Sequence, residues 1–237
     1  MPLSPHERES DEHQSVAAAM RSGRVSFMGL ELGVAPGTLV PRAETELLAR
    51  TAIAMLSAMG TTPTRVVDMC CGAGNLACAV AHHSSGSRVW ASDLTAACVE
   101  LAARNAGACG LMGRVSVHQG DLFGSFTGLG LEGRVDMVVC NPPYISEQRL
   151  TDERAALLEL EPREAFAAGP YGLSVHQRVV RDAALFLRPG GLLLVEVGLG
   201  QHRQVQTLFE RSKGYEDVQV VSNEAAEARV VLGRRVT

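Results

Sequence analysis

The sequence predicts an α/β fold with one mostly parallel sheet of seven strands, closed by an antiparallel pair of strands at the C-terminus. Short apolar runs alternate with helical patterns from residue 65 onward. This order is typical of parallel strands joined by helices that cover both faces of a sheet. The last two apolar runs, 215–221 and 228–234, have no helix between them, which favours antiparallel pairing. A chain of 237 residues is long enough for one such domain.

The segment before this alternation predicts a short N-terminal arm. Residues 1–24 are polar, and the alanine-rich stretch 16–20 predicts one or two helical turns. Two short apolar runs separated by glycines follow in 25–41 and predict a small hairpin or an extended arm. We therefore expect two regions, an arm over 1–40 and the sheet domain over 41–237.

The sheet domain is predicted to begin with a helix that ends at Gly60. Glu44 and Glu46 lie in its first turn, where the helix dipole favours acidic side chains. The predicted strands are 65–69, 88–92, 114–118, 134–140, 192–198, 215–221 and 228–234. The predicted helices after the first are 74–84, 95–107, 174–188 and 201–211. We expect Gly107 to end the second of these four helices and Pro189-Gly190-Gly191 to stop the third.

Charge and composition disfavour several functions. The net charge is −4 and the pI is about 6.0, and we find no basic stripe of the kind that proteins holding duplex nucleic acid usually carry. Some arginines either cluster locally or form a solvated helix face, and these are Arg149, Arg154, Arg163, Arg178 and Arg181. No apolar run approaches the ~18 residues of a membrane span. The charged N-terminus does not resemble a secretory signal, so we expect a cytoplasmic protein without a membrane partner.

The cysteines and histidines indicate structural roles. None of the six cysteines forms a CxxC pair, and most lie in apolar segments, which indicates reduced, buried thiols. Neither Cys70-Cys71 nor His82-His83 has the spacing of zinc ligands, so we expect no metal site. We expect both of these histidines and His176 on helix surfaces. Glu196, inside an apolar strand, is expected to be either paired in the core or exposed at the strand end.

Glycines and polar residues follow the predicted strands at their carboxyl ends, where open α/β sheets bind ligands. Gly72 and Gly74 allow a tight turn and let a ligand approach the backbone. Asp93 is suited to ribose hydroxyls, and Asp121 with Leu122 to the edge and face of an adenine. The predicted cofactor-binding residues are Asp68, Cys70, Gly72, Gly74, Asn75, Asp93, Leu94, Asp121, Leu122 and Asn141.

Each of these signals has a plainer alternative. Asp93 precedes a helix and Asp121 precedes a turn, so either side chain can be a cap. Ala77 stands where a dinucleotide fingerprint has its third glycine or an accepted alanine, which leaves NAD open on that criterion. Four strand ends that carry such residues in order favour one ligand site over separate caps.

The fourth strand ends with Asn141-Pro142-Pro143-Tyr144, a feature for which an NAD enzyme has no use. The prolines end the strand because they cannot donate a ladder hydrogen bond. The side-chain oxygen of Asn141 and the carbonyl of Pro142 can accept the two N–H groups of a planar amide or amine, and Tyr144 can stack on it. This arrangement suits a methyl donor with an adenosine head and a planar nitrogen as acceptor. The alternative is a plain strand-terminating turn.

The run NPPYIS resembles the motif of methyltransferases that act on planar nitrogens, including adenine N6 enzymes and the HemK/PrmC-type enzymes that methylate a glutamine amide of release factors. The resemblance to the second group covers nearly everything after residue 25. Its further motifs are LVPRAETELL (39–48), EPREAFAAGPYGL (161–173), RPGGLLLVEVGLGQ (188–201) and ARVVLGR (228–234). The chain departs from the family in its short N-terminal segment and in its glycine loop, which reads MCCGAGN.

The resemblance implies a Rossmann-like, seven-stranded class I methyltransferase domain that uses S-adenosyl-L-methionine and releases S-adenosyl-L-homocysteine. It implies catalytic roles for Asn141, Pro142 and Tyr144 in N5-methylation of a glutamine, with a peptide-chain release factor as the partner. A small-molecule acceptor in a biosynthetic pathway is the alternative that the short N-terminal segment motivates. Adenine methylation is disfavoured by the acidic pI, and a catalytically silent scaffold by the intact NPPY run. A homodimer paired through the arm is left open.

Overall fold

The apolar runs form one seven-stranded sheet in a computed structural model, which describes residues 5–60, 63–146, 158, 160–166, 168–169 and 172–236. The strands of this sheet are β3 (Thr64–Met69), β4 (Ser87–Asp93), β5 (Val115–Gln119), β6 (Val135–Cys140), β7 (Leu187–Glu196), β8 (Tyr215–Ser222) and β9 (Ala228–Arg235). Of the hairpin and the extended arm left open for 25–41, the structure shows the hairpin, which consists of β1 (Arg24–Phe27) and β2 (Leu30–Gly33). The helices are α1 (Pro5–Ser22), α2 (Glu46–Met59), α3 (Asn75–His83), α4 (Ala96–Ala108), α5 (Ser174–Phe186) and α6 (His202–Ser212).

The strand order is β5-β4-β3-β6-β7-β9-β8, which confirms the predicted fold class. Pairing is parallel from β5 to β7, and β9 pairs antiparallel with both β7 and β8, as predicted for the C-terminal strands. Met69 in β3 lies opposite Ser92 in β4 and Cys140 in β6. The carboxyl ends of these three strands therefore meet at one edge of the sheet.

Helices cover both faces of the sheet, because successive side chains of a strand point to opposite sides. Val66 in β3 belongs to a core cluster with side chains of α2, α3 and α4. Its neighbour Val67 belongs to a second cluster with side chains of α5 and α6, and both valines are fully buried. Among the helices described, none combines the length and apolar character that a membrane span needs.

The N-terminal helix α1 is longer than the sequence indicated. The expectation of one or two turns over 16–20 is wrong, because the helix continues through the polar residues on both sides of that stretch. Val16 and Ala19 are buried and pack in one cluster with Val40 and Phe166. A narrow apolar contact thus orders a helix that is otherwise mostly polar. The boundary at residue 40 between an arm and a domain stays a prediction.

The boundary between α5 and β7 also differs from the prediction. The helix ends at Phe186, and the stretch Pro189 to Gly191, expected to stop the helix, lies inside β7. The pairing of β7 with β6 shifts register near Val135, and such an irregularity tolerates a proline. A Cβ atom at Gly191 would lie 3.0 Å from the carbonyl oxygen of Val135 and 3.1 Å from that of Asp136, so glycine allows the two strands to approach there.

His176 is buried in α5, so the expectation that it lies on a helix surface is wrong. Its Nε2 donates a hydrogen bond of 2.8 Å to the backbone oxygen of Glu196. Burial lowers the pKa of His176 to about 4, which keeps the ring neutral at pH 7. His82 and His83 are exposed, as predicted.

Two glycines with left-handed backbone adjoin α3 and α4. The helix α4 continues through Gly107, so the expectation that this residue ends it is wrong, and Gly110 (φ +70°) follows its end with no atom within 4 Å of an added Cβ. Gly74 (φ +77°) lies at the start of α3, and an added Cβ would be 2.9 Å from the Cβ of Ala102 in α4. Gly74 therefore meets both a conformational and a packing requirement.

Replacing Gly74 by alanine should destabilise the fold more than replacing Gly110. Both substitutions add left-handed strain of about 1–2 kcal/mol, but only Gly74→Ala adds overpacking of about 1–3 kcal/mol. Denaturant unfolding of the two variants and the wild type measures the difference. Equal losses in the free energy of unfolding would contradict the packing argument.

Candidate functional site

A cavity of about 380 Å³ lies at the carboxyl edge of the sheet. The ends of β3, β4 and β6 and the turn after β5 contribute to its wall. The predicted cofactor-binding residues that line it are Cys70, Gly72, Asp93, Leu94, Asp121, Leu122 and Asn141. The fold thus brings together most of the residues selected at the strand ends, from segments far apart in the chain.

Asp93 fixes the glycine loop of this cavity. Its Oδ2 accepts a 2.9 Å hydrogen bond from the backbone N–H of Gly72, and its Oδ1 accepts a 3.2 Å bond from that of Thr95. The N-cap of α4 is Thr95, whose hydroxyl accepts from Cys98 N, so Asp93 is not the helix cap that the sequence left open. An ionised carboxylate has about four acceptor sites, so Asp93 retains capacity for hydroxyl groups of a ligand.

Three predicted cofactor-binding residues do not line the cavity. Asp68 is fully buried beneath the glycine loop, where its Oδ2 accepts from the backbone N–H of Ala77 in α3 at 2.9 Å. Burial raises the pKa of Asp68 to about 8, a rise that the bond from Ala77 opposes and the charge of Asp93 increases. Gly74 packs against α4, and Asn75 borders a separate cavity of about 20 Å³.

Two side chains in the cavity wall occur on backbone that L-residues rarely adopt. Cys70 has φ +59° and Leu122 has φ +50°. Such strain persists only where the surroundings enforce it, and it concentrates at binding sites. Leu122 is held by burial in the core cluster with Phe123 and Phe126.

The six cysteines are free, and burial raises the pKa of Cys140, so that thiol stays protonated beside the cavity.

The loop after β6 presents the Asn141 amide in one orientation. Asn141 Nδ2 donates a 3.1 Å hydrogen bond to the hydroxyl of Thr45, which leaves its Oδ1 available as an acceptor. The loop is held further on by Gln201, whose Nε2 donates to the backbone oxygen of Tyr144 at 2.8 Å. Thr45 is a site residue that the sequence did not reveal, although it lies within the segment 39–48 that carries the family resemblance.

Two further cavities border the same loop. One of about 470 Å³ is lined by Tyr144 and by charged side chains that include Arg42 and Arg229. A smaller one of about 30 Å³ is lined by Asn141, Pro142 and Tyr144, and it shares lining residues with both larger cavities. We call the 470 Å³ cavity the polar cavity. The loop therefore lies where the 380 Å³ cavity and the polar cavity approach each other.

The arginine at the base of the polar cavity is paired. Arg229 Nη2 lies 2.8 Å from Glu44 Oε1 and 3.7 Å from Glu196 Oε1. Burial alone would lower the pKa of Arg229, but Tyr144 and the two acids raise it above its ordinary value, so it stays charged. Of the alternatives left open for Glu196, the structure shows the buried one, with the side chain paired in the core.

A buried ion pair ties two sequence motifs together. Arg42 Nη1 donates to Glu161 Oε1 at 2.9 Å and Nη2 donates to Oε2 at 2.5 Å, while Oε1 also accepts from Val40 N at 2.8 Å. The residues that follow Glu161, 162–165, line the 380 Å³ cavity. The sequence analysis selected both segments but did not predict that they pair. The opposite charges of Arg42 and Glu161 were the signal that could have indicated this pairing.

The sequence left five arginines open as a local cluster or a solvated helix face, and the structure describes three of them. Arg178 pairs with Asp121 at 2.7 Å, and both line the 380 Å³ cavity. Arg163 lines the same cavity, whereas Arg181 is exposed and pairs with its neighbour Asp182. Arg149 and Arg154, the remaining two, lie outside the described residues.

Comparisons with known proteins agree on the kind of reaction. The family model described as Methyltransferase small domain matches residues 45–160. A release factor glutamine methyltransferase of Moorella thermoacetica is 34% identical over 90% of this chain and 73% of its own length. A 4-amino-L-phenylalanine/4-methylamino-L-phenylalanine methyltransferase of Streptomyces pristinaespiralis is 41% identical over 79% of this chain and 63% of its own. The crystal structure of a release factor-specific protein-(glutamine-N5) methyltransferase of Alicyclobacillus acidocaldarius is 26% identical, with a TM-score of 0.51 over 87% of this chain and 100% of that chain.

Breaking the Arg42–Glu161 pair should destabilise the protein strongly. Arg42→Met leaves the buried Glu161 carboxylate without a cation, which typically costs about 3–5 kcal/mol of unfolding free energy. Glu161→Gln should cost less, because Arg42 keeps Glu12 as a partner at 3.0 Å. The double variant should lose less than the sum of the two single variants, because no buried carboxylate is left without a cation. Arg181→Met, which breaks an exposed pair, is the matched control and should leave denaturant unfolding unchanged. Additive losses in the double variant would contradict the coupling.

The buried carboxyl of Asp68 should make stability depend on pH. The unfolded chain releases this proton near pH 4, whereas the folded protein keeps it until about pH 8. Wild-type stability relative to Asp68→Asn should therefore fall as pH rises from about 4 to 8 and then level off. Unfolding at several pH values measures the difference. A flat profile for Asp68→Asn would contradict the assignment.

Proposed function

Because the chain belongs to the release factor glutamine methyltransferase family, we propose that it methylates the side-chain nitrogen, N5, of a glutamine in a peptide-chain release factor. The fixed amide of Asn141 carries this proposal: its nitrogen is engaged by Thr45, and its oxygen is left as an acceptor for an N–H group. The chain is a methyltransferase. A translation factor as the proposed substrate favours the cytoplasm as the location of the reaction.

The 380 Å³ cavity fits S-adenosyl-L-methionine as the cofactor, with S-adenosyl-L-homocysteine as product. Its volume lies in the ordinary range for small-ligand pockets of about 300–1,000 Å³. Asp93 retains acceptor sites for ribose hydroxyls, and the backbone around Gly72 is open to close approach. Leu122 offers an apolar surface and Asp121 a carboxylate for an adenine, as in the sequence-based assignment. When bound, the cofactor supplies a methyl group on a sulfonium.

The chain's own contribution to transfer is the positioning of a planar nitrogen. An amide nitrogen is a poor nucleophile because its lone pair is conjugated with the carbonyl. Oδ1 of Asn141 and the carbonyl of Pro142 are assigned to accept its two N–H groups, and Tyr144 to cover the planar face. Since proline restricts the backbone, the Pro142 acceptor loses little entropy on binding. Positioning of this kind can lower an activation barrier by roughly 7–11 kcal/mol.

A small aromatic amine is the second candidate acceptor. The relative that acts on 4-amino-L-phenylalanine is 41% identical to this chain, compared with 34% for the release factor enzyme of Moorella thermoacetica. An aromatic NH₂ group is planar enough to use the same two acceptors. Both candidates therefore share one transfer site. They differ in the acceptor that the polar cavity of about 470 Å³ would admit, which is a protein segment in the first case and a free amino acid in the second.

Labelled S-adenosyl-L-methionine with a purified, unmethylated release factor tests the proposal. Label should enter the protein and be lost when the glutamine of its Gly-Gly-Gln motif is changed to alanine. Asn141→Ala should lower kcat by about 10²–10³-fold, as removal of one preorganised polar group does, while calorimetry shows cofactor binding nearly unchanged.

Parallel reactions with 4-amino-L-phenylalanine separate the two acceptors. Methylation of this amine without label in the release factor would overturn the protein substrate and favour the second candidate. Cofactor binding without transfer to either acceptor would overturn both.

A further inference from the structure

Methyl transfer to a planar NH₂ group leaves a proton that the site must remove. The nitrogen lone pair forms the new N–C bond, and the electrons of the methyl C–S bond stay on the sulfur. The methylated nitrogen then carries one hydrogen more than the neutral product, so it must lose a proton. This requirement is the same for a glutamine amide and for an aromatic amine. A side chain that is positioned to take such a proton acts as a general base.

The two oxygens assigned to the acceptor N–H groups cannot keep this proton. Oδ1 of Asn141 and the carbonyl oxygen of Pro142 are amide oxygens, which accept hydrogen bonds but stay unprotonated near neutral pH. Both residues line the cavity of about 30 Å³. The proton therefore has to pass to a titratable side chain. The described residues of this kind that line the same cavity are Glu12, Arg42, Glu44, Tyr144 and Glu196.

Glu196 combines burial with an oxygen that is open to a ligand. The residue is 1% exposed, and its Oε1 lies 3.7 Å from Arg229 Nη2. Its Oε2 is buried and forms no hydrogen bond with any residue that the structure describes. A buried carboxylate oxygen without a partner is costly. Its place in the cavity that Asn141 and Tyr144 also line indicates that it receives a group from the acceptor.

The other titratable side chains of this cavity are less suited. Glu44 bonds Arg229 at 2.8 Å and its side chain is 45% exposed, so a cation and solvent already satisfy it. Glu12 bonds Arg42 at 3.0 Å, and its side chain is 22% exposed. An arginine and a tyrosine are both protonated at neutral pH, so neither can take a further proton there.

We propose that Glu196 is the general base of the methyl transfer and takes the proton that the acceptor nitrogen loses. The proton binds to Oε2, which turns the carboxylate into a neutral carboxylic acid, and it is later released to water. The 30 Å³ cavity has room for a water molecule, which can carry the proton from the nitrogen to Oε2. This inference rests on the proposed function, because it requires an NH₂ acceptor beside Asn141.

Charged groups from several elements determine the pH at which Glu196 can act. Burial raises its pKa to about 7; Arg229 on β9 and Arg42 before α2 oppose this rise, and Glu44 adds to it. His176 on α5, which bonds the backbone oxygen of Glu196, is neutral above about pH 4. Glu196 is therefore ionised and able to accept a proton above about pH 7, and it loses this ability as pH falls through that value.

The pH profile of kcat/KM tests this role with labelled S-adenosyl-L-methionine and whichever acceptor the wild-type protein methylates, a release factor or 4-amino-L-phenylalanine. For the wild type, kcat/KM should rise with pH and level off above about 7. Glu196→Gln keeps the shape of the side chain and an acceptor for Arg229 but cannot take a proton. It should lower kcat by about 10²–10⁴-fold and lose the rise through pH 7. Glu196→Asp, which withdraws the carboxylate by one methylene, should be slower than the wild type but keep the rise.

Asp136→Asn is the matched control for replacing a buried acid by its amide. Asp136 in β6 is buried, pairs with Arg188 at 2.6 Å and accepts from the backbone N–H of Arg65, at the amino-terminal end of the strands and away from the cavity. This variant should lose stability but keep the kcat and the pH profile of the wild type. Calorimetry should show the affinity for S-adenosyl-L-methionine nearly unchanged in Glu196→Gln.

The outcomes separate this inference from the proposed function. An active wild type with the same rate or the same pH profile in Glu196→Gln would overturn the general base and leave the proposed function standing. A loss of rate that Asp136→Asn shares would also overturn it, because the loss would then follow from destabilisation. If Glu196→Gln does not bind the cofactor, Glu196→Asp decides, and a wild-type kcat in that variant would overturn the role. Absence of transfer by the wild type to either acceptor would overturn the proposed function, and this inference with it.

Discussion

The parallel register of β3 with β4 and β6 is the constraint on which the site depends. It places Met69, Ser92 and Cys140 side by side, so the segments that follow them begin at one edge of the sheet. The glycine loop, Asp93 and Asn141 reach one cavity for this reason alone. A register shift of a single residue in β6 would move each of its side chains to the opposite face of the sheet and displace Asn141, which follows the strand.

Buried charges then fix the segments that the sheet does not hold. The Arg42–Glu161 pair connects the chain before α2 to the segment that lines the 380 Å³ cavity, and Arg229 connects β9 to the acids beside Asn141. Such pairs contribute little net stability, because desolvation offsets most of their attraction. Their effect here is geometric, since each charge has few low-energy positions other than the observed one.

Burial keeps other titratable groups neutral near the same edge. Asp68 and His176 each bond a backbone group while desolvation disfavours their charged forms. Asp93 is then the acid of β4 that lines the 380 Å³ cavity. The charged groups that line the 380 Å³ cavity therefore include Asp93 and the paired Asp121 and Arg178, whereas Asp68 and His176 add no charge near neutral pH.

The sequence by itself determined the order of strands and helices, the strand-end residues and the NPPY loop. Hydrophobic periodicity and proline stops act over a few neighbouring residues, and the rule that ligands bind at carboxyl ends needs only chain order. It did not determine the extent of α1, which depends on Val16 and Ala19 meeting Phe166, or the strand path through Pro189. Thr45 and Asn141 are 96 residues apart, and Arg42 and Glu161 are 119 apart. Only the folded chain decides such partners, because the energy of a contact between distant segments depends on where the sheet and helices have placed them.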